Sequence, residues 1–259
     1  MTITRKYSIT SKDMDMDYHI TPSAVLLYIQ DTVAAFLTRC NKAAFDVSYE
    51  NILWVITDYN IELSEQQPFW PEEVSVKMWM SELTPLRAYF DCRLTGTDGR
   101  EFGKATTCWS MIDATTHKPV VCSDHLKDVE IVPEMVYGRH GKAVNPAPEA
   151  ILDRYSCHTI MPDVDFNSHI SNRAYLTTAL SGMDLGFERT HTAVRMYLKF
   201  VKETFLGDTL HCDRMSCKDS ADTFFYRITN DAAEEVCRIW IQWASHEEEP
   251  HAINGRIVR

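Results

Sequence analysis

The chain has 259 residues, 45% of them hydrophobic and 24% charged, a balance that can bury one large core or two ordinary ones and lies far from disordered or collagen-like compositions. Its formal charge of −11 argues against a nucleic-acid binder, because phosphate neutralisation needs clustered Lys and Arg. The longest apolar stretch, Ala24 to Ile29, falls far short of the ~20 residues a bilayer needs, and Met1-Thr2-Ile3-Thr4-Arg5-Lys6 lacks the apolar centre of a signal peptide, so a soluble cytoplasmic protein with no membrane span is expected.

The first patterned segment is Asp13-Met14-Asp15-Met16-Asp17-Tyr18-His19-Ile20, where polar and apolar residues alternate as in a strand. Pro22 behind Thr21 suits the first position of a helix, which the apolar run from Ala24 extends to about Arg39. Strand patterns follow at 54–63, 74–80, 87–94 and 102–112, rich in β-branched and aromatic residues, with Thr97-Asp98-Gly99 as the turn between the last two. Such hairpin-linked strands make an antiparallel sheet. The composition then shifts, with Gly138, Gly141, Pro146 and Pro148 marking an inter-domain linker.

Beyond the linker the order repeats. Asp163-Val164-Asp165-Phe166-Asn167-Ser168-His169-Ile170 aligns without gaps on the first segment, so the chain reads as a duplication in which each unit is a strand feeding a helix. The second helix is expected over 173–185 and strands near 193–201, 208–215, 223–229 and 236–243, with Trp109 and Trp243 in matching late positions. The expected organisation is a first domain at 1–130, a linker at 131–152, a second domain at 153–245 and a solvated tail at 246–259. The eight cysteines form no Cys-x-x-Cys pair and sit mostly in strand-like runs, which predicts reduced, buried thiols. A long apolar helix followed by four or more strands must be covered on several sides, so each half is expected to wrap its sheet around its helix. That is the α+β hotdog arrangement, and two in tandem make a double hotdog whose halves can pair their sheets.

Asp165, Asn167 and His169 lie at i, i+2 and i+4, which in an extended segment points all three side chains the same way, just ahead of a helix. Unpaired N–H groups at a helix N-terminus can receive a carbonyl oxygen that becomes an oxyanion, which suits acyl transfer. Capping and turn roles for Asp165, Asn167 and Asn172, with His169 as a hydrogen-bonded partner, fit the same residues. A metal site is disfavoured, since one His without a second His or Cys at close spacing is a poor ligand set; no metal or cofactor is expected. The halves differ at one telling place: Asp17 stands opposite Asn167, which puts the chemistry in the second half.

The run from Asp163 to Tyr175 resembles the Asp-x-Asn-x-His-x-x-Asn-x-x-Tyr signature of acyl-[acyl carrier protein] thioesterases, bacterial relatives of the plant fatty-acyl enzymes. Leu53-Trp54-Val55-Ile56-Thr57, Ile61-Glu62-Leu63 and Trp70-Pro71-Glu72-Glu73-Val74 are similar to that family's first hotdog, and Lys202-Glu203-Thr204 ahead of Gly207-Asp208 resembles its segment carrying a catalytic Glu. The resemblance covers nearly the whole chain. It implies a double hotdog that hydrolyses a fatty acyl thioester, with Asp165, Asn167, His169 and Glu203 at the catalytic positions. Where plant members carry a Cys after this Glu, the chain has Thr204, so the expected mechanism is water attack with Glu203 as base, Asn167 and helix N–H groups on the carbonyl, His169 orienting water and Asp165 fixing Asn167 or His169.

The expected partner is a fatty acyl carrier protein. Acyl-coenzyme A hydrolysis and a catalytically silent acyl-binding module are the alternatives, and monomer and homodimer are both open. Leu27 and Trp54 are expected to line the acyl tail in the first half. The stretch from Arg189 to Lys202 carries no Asp or Glu, and Arg195 and Lys199 share one face of a strand there, where they can guide an acidic carrier.

Overall fold

Helix α1 (Pro22–Arg39) is set by its first turn: Thr21 is the N-cap, its hydroxyl accepting the Ala24 N–H, and Pro22 takes the first helical position. Val25, Leu26, Ile29, Val33 and Phe36 are fully buried, while Leu27 lies with Asp31, Ala34 and Thr38 on a narrow outward stripe. The helix is therefore wrapped rather than merely covered. The computed structural model describes residues 1–140, 143, 145–247, 251–253 and 256–258; the expectations for Gly141, Lys142, Val144 and the side chains of the tail beyond Glu247 lie outside them.

The strands of the first half are β1 (Thr2–Ser8), β2 (Ile52–Leu63), β3 (Glu73–Leu83), β4 (Ala88–Thr95), β5 (Glu101–Asp113) and the short β6 (Pro119–Val120), with the short helices α2 (Ala44–Ser48) and α3 (Cys122–Leu126) among them. Those of the second are β7 (Pro148–His158), β8 (His191–Phe200), β9 (Thr209–Cys217), β10 (Ser220–Thr229) and β11 (Glu235–Ser245). Together they form one 11-stranded antiparallel sheet in the order β1-β3-β4-β5-β2-β8-β11-β10-β9-β7, with β6 on β5. Read from either outer edge, the order is the same, which is the duplication written as topology. The halves join where β2 pairs β8, from Asp58 opposite Lys199 to Glu62 opposite Arg195. Both are opposite-charge cross-strand pairs, which favour this register. The sequence reading missed β1, whose buried residue Ile3 is flanked by polar ones, the short β6, the early part of β7, which begins within the stretch assigned to the linker, and the pairing of His251–Ile253 with Arg256–Val258 in the expected tail.

Two helical expectations change. The second helix, α4 (Asn172–Leu180), has only 9 residues and ends well before residue 185. At Gly182 an added Cβ would meet the Tyr155 ring at 2.2 Å, so the backbone passes this ring where a side chain cannot. Asp184 then starts a separate short helix, α5 (Leu185–Thr190), by accepting the Phe187 N–H. The segments ahead of α1 and α4 are also not strands. Each folds back on itself in a tight turn, with Met14 bridging Ile20 and Val164 bridging Ile170, and with Tyr18 and Ser168 at φ 67° and 64°.

Between the halves, described residues of the connecting segment are tied to the strands by hydrogen bonds. The carbonyls of Glu134 and Pro146 accept the indole N–H groups of Trp79 and Trp240, and Tyr137 donates to the Lys104 carbonyl. The eight cysteines are free thiols, six of them buried. Among the described residues no helix is long and apolar enough to cross a membrane.

Candidate active site

The tight turn, rather than an extended strand, is what positions Asp165, Asn167 and His169. The Asp165 Oδ1 accepts the N–H groups of Asn167 (2.8 Å) and His169 (3.3 Å), while the Asp165 N–H donates to the His169 carbonyl at 2.8 Å. The carboxylate thus sits inside the turn and fixes the backbones of the other two residues. The Asn167 and His169 side chains are free to point outward, each half-buried. Among the described residues none forms a hydrogen bond with the Asn167 amide.

Glu203 reaches the same place from the far side. It lies beyond the end of β8, where the backbone is pinned twice: the Val201 N–H donates to the Val236 carbonyl, and the Ile170 N–H donates to the Thr204 carbonyl. Its neighbours are held on other sides, Lys202 by a 2.6 Å ion pair with Glu234 and Thr204 by a 2.8 Å hydrogen bond with the Tyr175 hydroxyl. Glu203 is left facing two imidazoles. His169 Nε2 lies 3.7 Å from its Oε2, and His117 Nδ1 lies 3.6 Å from its Oε1. The His169 ring packs edge-on against Phe205 at 5.2 Å. A carboxylate and an imidazole at this separation can share one water at their common edge.

The start of α4 supplies a second element. Ser171 is its N-cap residue but makes no side-chain capping bond, and Asn172 at the first helical position keeps its N–H. The helix therefore presents uncapped donors beside the turn that carries Asn167 and His169.

The first half repeats this construction with different groups. Asp15 Oδ1 accepts the N–H groups of Asp17 and His19, both at 2.9 Å. The Ile20 N–H donates to the Pro68 carbonyl as that of Ile170 does to Thr204, so Gln67 occupies the counterpart of Glu203. Gln67 donates to the Ala193 carbonyl at 2.8 Å. Asp15, Asp17, His19 and Gln67 line a cavity of about 550 Å³ between the halves, together with Arg189 and Trp243. Burial raises the Asp15 carboxyl above its ordinary pKa, and burial followed by the charges of Asp15 and Asp17 does the same to Glu188.

The remaining expected residues lie elsewhere. Leu27 is on the outward stripe of α1, 38% exposed, and Trp54 is in the core, edge-on to Trp109 with its indole N–H on the Lys42 carbonyl. Arg195 and Lys199 face β2 at the seam opposite Glu62 and Asp58. Cys212 and Cys217 are buried, and burial pushes the Cys212 thiol up to about 12, far from a reactive thiolate. Among the described residues no group of three or more His, Cys, Asp or Glu is arranged to hold a metal ion.

Three contributors escaped the sequence reading. Tyr175 carries a signature position, yet its role, holding Thr204 next to Glu203, depends on a contact that only the fold creates. Gln67 could have been found by extending the repeat beyond the helix. His117 sits in the turn between β5 and β6 of the other half, and no repeat or motif marks it.

Residues 1–129 match the family described as acyl-ACP thioesterase N-terminal domain, and residues 149–245 match acyl-ACP thioesterase C-terminal domain. Among solved structures, the chain resembles an acyl-ACP thioesterase from Bacteroides thetaiotaomicron, with 19% identity and a TM-score of 0.82 over 94% of this chain and 98% of that one. It resembles the 12:0-ACP thioesterase from Umbellularia californica with 14% identity and a TM-score of 0.80, over 95% of this chain and 98% of that one. These similarities carry the double-hotdog fold. No curated protein matches the chain.

Proposed function

Since the chain belongs to the acyl-ACP thioesterase family and hydrolyses the thioester of fatty acyl-[acyl carrier protein], we propose that the second half-site, built from Asp165, Asn167, His169 and Glu203, carries out that reaction. The observation that carries the reading is the meeting of Glu203 and His169 at 3.7 Å, in the half-site whose helix start has neither a side-chain cap nor a proline at its first position. Glu203 accepts a proton from a water held between itself and His169, and the water oxygen bonds to the thioester carbon. The carbonyl oxygen takes up the negative charge and is received by the Asn167 amide and the first N–H groups of α4. When the tetrahedral intermediate collapses, the C–S bond breaks, and the proton held by Glu203 passes to the departing thiolate. The products are a fatty acid and the carrier's free thiol. Asp165 does not touch the substrate in this scheme; it holds the turn.

On the same reading the acyl tail extends into the first half. Trp54 is a size-determining core residue there, while Leu27 contributes only at the outer face of α1. Arg195 and Lys199, which stand opposite Glu62 and Asp58 in the register of the seam, assist the approach of the acidic carrier. The activity belongs to fatty acid biosynthesis in the cytoplasm.

The test is Glu203→Gln, which keeps shape but accepts no proton at neutral pH. Single-turnover release of carrier thiol should fall by about 100-fold or more, with acyl carrier protein binding unchanged. Near-normal release would remove Glu203 from the role of base, and an acyl group trapped on any cysteine would replace water attack with covalent catalysis.

A further inference from the structure

The turn between β5 and β6 is built with unusual care for an exposed hairpin. Asp113 Oδ1 accepts the N–H groups of Thr115 (3.0 Å) and Thr116 (2.7 Å) and the Thr116 hydroxyl (2.9 Å), while its Oδ2 accepts from the Asn51 amide at 3.1 Å. These bonds, that of the Thr116 N–H first, hold the Asp113 carboxyl below its ordinary pKa. The backbone closes as well, with the His117 N–H on the Asp113 carbonyl and the Asp113 N–H on the Lys118 carbonyl, both at 2.9 Å. The residue so fixed is His117, at φ 55°, a left-handed conformation that a histidine adopts at some cost. Because β2 lies between β5 and β8, this turn of the first half overhangs the end of β8 in the second. The result is an imidazole 52% exposed, with Nδ1 3.6 Å from Glu203 Oε1, on the side of the carboxylate opposite His169.

We propose that His117 is a positioning residue for thioester hydrolysis, donating from Nδ1 to Glu203 Oε1 so that Oε2 alone faces His169 and the attacking water. The active site is then composite: the second half supplies the reacting groups, and the first half orients the base. At 3.6 Å the contact is slightly longer than a hydrogen bond, and a small rotation of the exposed ring closes it when substrate shields the site. Without His117 both carboxylate oxygens compete for the water, and the base spends less time in the productive orientation. The closed turn and its left-handed backbone fix where the ring sits relative to Glu203.

The inference rests on Glu203 acting as the base, so the variants are measured beside Glu203→Gln. His117→Asn suits the left-handed backbone but is too short to reach Glu203. It should lower kcat on acyl carrier protein substrate about tenfold, less than the ~100-fold that misplacing a reacting group by 1 Å can cost, with KM and melting temperature unchanged. His117→Gln, which restores a donor of similar reach, should recover a substantial part of that loss. Asp113→Ala, which loosens the turn, should lower kcat by the same route, and its combination with His117→Asn should cost no more than His117→Asn alone. A kcat within twofold of wild type for His117→Asn, or Gln rescuing nothing, would overturn the positioning role while leaving the base intact. Near-normal turnover in Glu203→Gln would instead remove the base, and this inference with it.

Discussion

The two half-sites share one backbone and differ in what they can do with it. Both place an aspartate inside a tight turn and project a histidine beyond it, and both tie the residue after that histidine to the segment following a central strand. In the second half that segment offers Glu203, the turn offers Asn167, and the helix start is uncapped. In the first, Gln67 and Asp17 stand in their places, the Thr21 hydroxyl occupies the Ala24 N–H, and Pro22 has no N–H to give. Each change removes one requirement of acyl transfer: a proton acceptor, an amide donor, and helix donors at the oxyanion. The fold was kept in duplicate, while the chemistry needs only one copy.

The sharpest way to break this comparison is to delete matching residues. His169→Ala and Asn167→Ala should each reduce thiol release by about 100-fold or more without unfolding the protein, as loss of a positioned donor does elsewhere. His19→Ala should leave turnover within a few-fold of wild type. Release assays with circular dichroism on the three proteins decide the matter, and a larger rate loss from His19→Ala would reverse the assignment of halves. Transplanting the missing groups is a more demanding version. In a Glu203→Gln background, Asp17→Asn with Gln67→Glu gives the first half the polar set of the second. No activity should return, because Pro22 still has no N–H to give and the Thr21 hydroxyl still occupies that of Ala24. Recovery to even a few percent of the wild-type rate would show that helix donors do not separate the two halves.

How much of this was visible in the sequence follows from which interactions are local. The start of α1 could be read to the residue, since Thr21, Pro22 and the apolar spacing are local signals. The repeat could be read as well, and with it the hotdog in each half. The turn geometry of Asp165 to His169 could not, because alternation of polar and apolar residues suits both a strand and a tight turn closed by an Asp side chain. The end of α4 depends on Tyr155, a residue of β7 that packs against Gly182, and a long-range contact leaves no periodic trace. Glu203 was reached only through family resemblance, as a lone carboxylate after a strand has no local mark. His117 belongs to the same class with no motif to assist it.

A middle-sized effect is expected at Thr204. From sequence alone Thr204→Ala is close to silent, yet the side chain is 1% exposed and bonded to the Tyr175 hydroxyl. Thr204→Val keeps the volume and deletes the bond, leaving the buried Tyr175 hydroxyl without this partner. The cost should be about 1–3 kcal/mol of stability, measured by urea denaturation, with a several-fold loss of turnover because Glu203 is the next residue. The first half has Pro68 at this position and no such bond to lose, so Pro68→Ala should leave turnover unaffected. An unchanged denaturation midpoint in Thr204→Val would mean that the Tyr175 bond does not hold the segment.

The smallest expected effect is electrostatic and belongs to the first half alone. Burial raises the Asp15 carboxyl above its ordinary pKa, against the N–H bonds from His19 and Asp17 and the charge of His19, and Glu188 is raised in the same cavity. A carboxyl whose folded pKa is raised binds its proton more tightly in the folded state. Its contribution to stability is therefore fully present below the unfolded pKa and is lost as pH rises through the folded one. Asp15→Asn retains the oxygen that accepts from Asp17 and His19 but carries no charge, and it removes one of the charges that raise Glu188. The stability of the variant relative to wild type should therefore increase as pH is raised from about 4 towards neutrality, while turnover at pH 7 stays unchanged. Denaturation midpoints at several pH values give the difference directly. A flat difference would mean that the Asp15 pKa is the same folded and unfolded, and a difference of opposite sign would mean that hydrogen bonding outweighs burial, so that the first half holds a stabilised carboxylate after all.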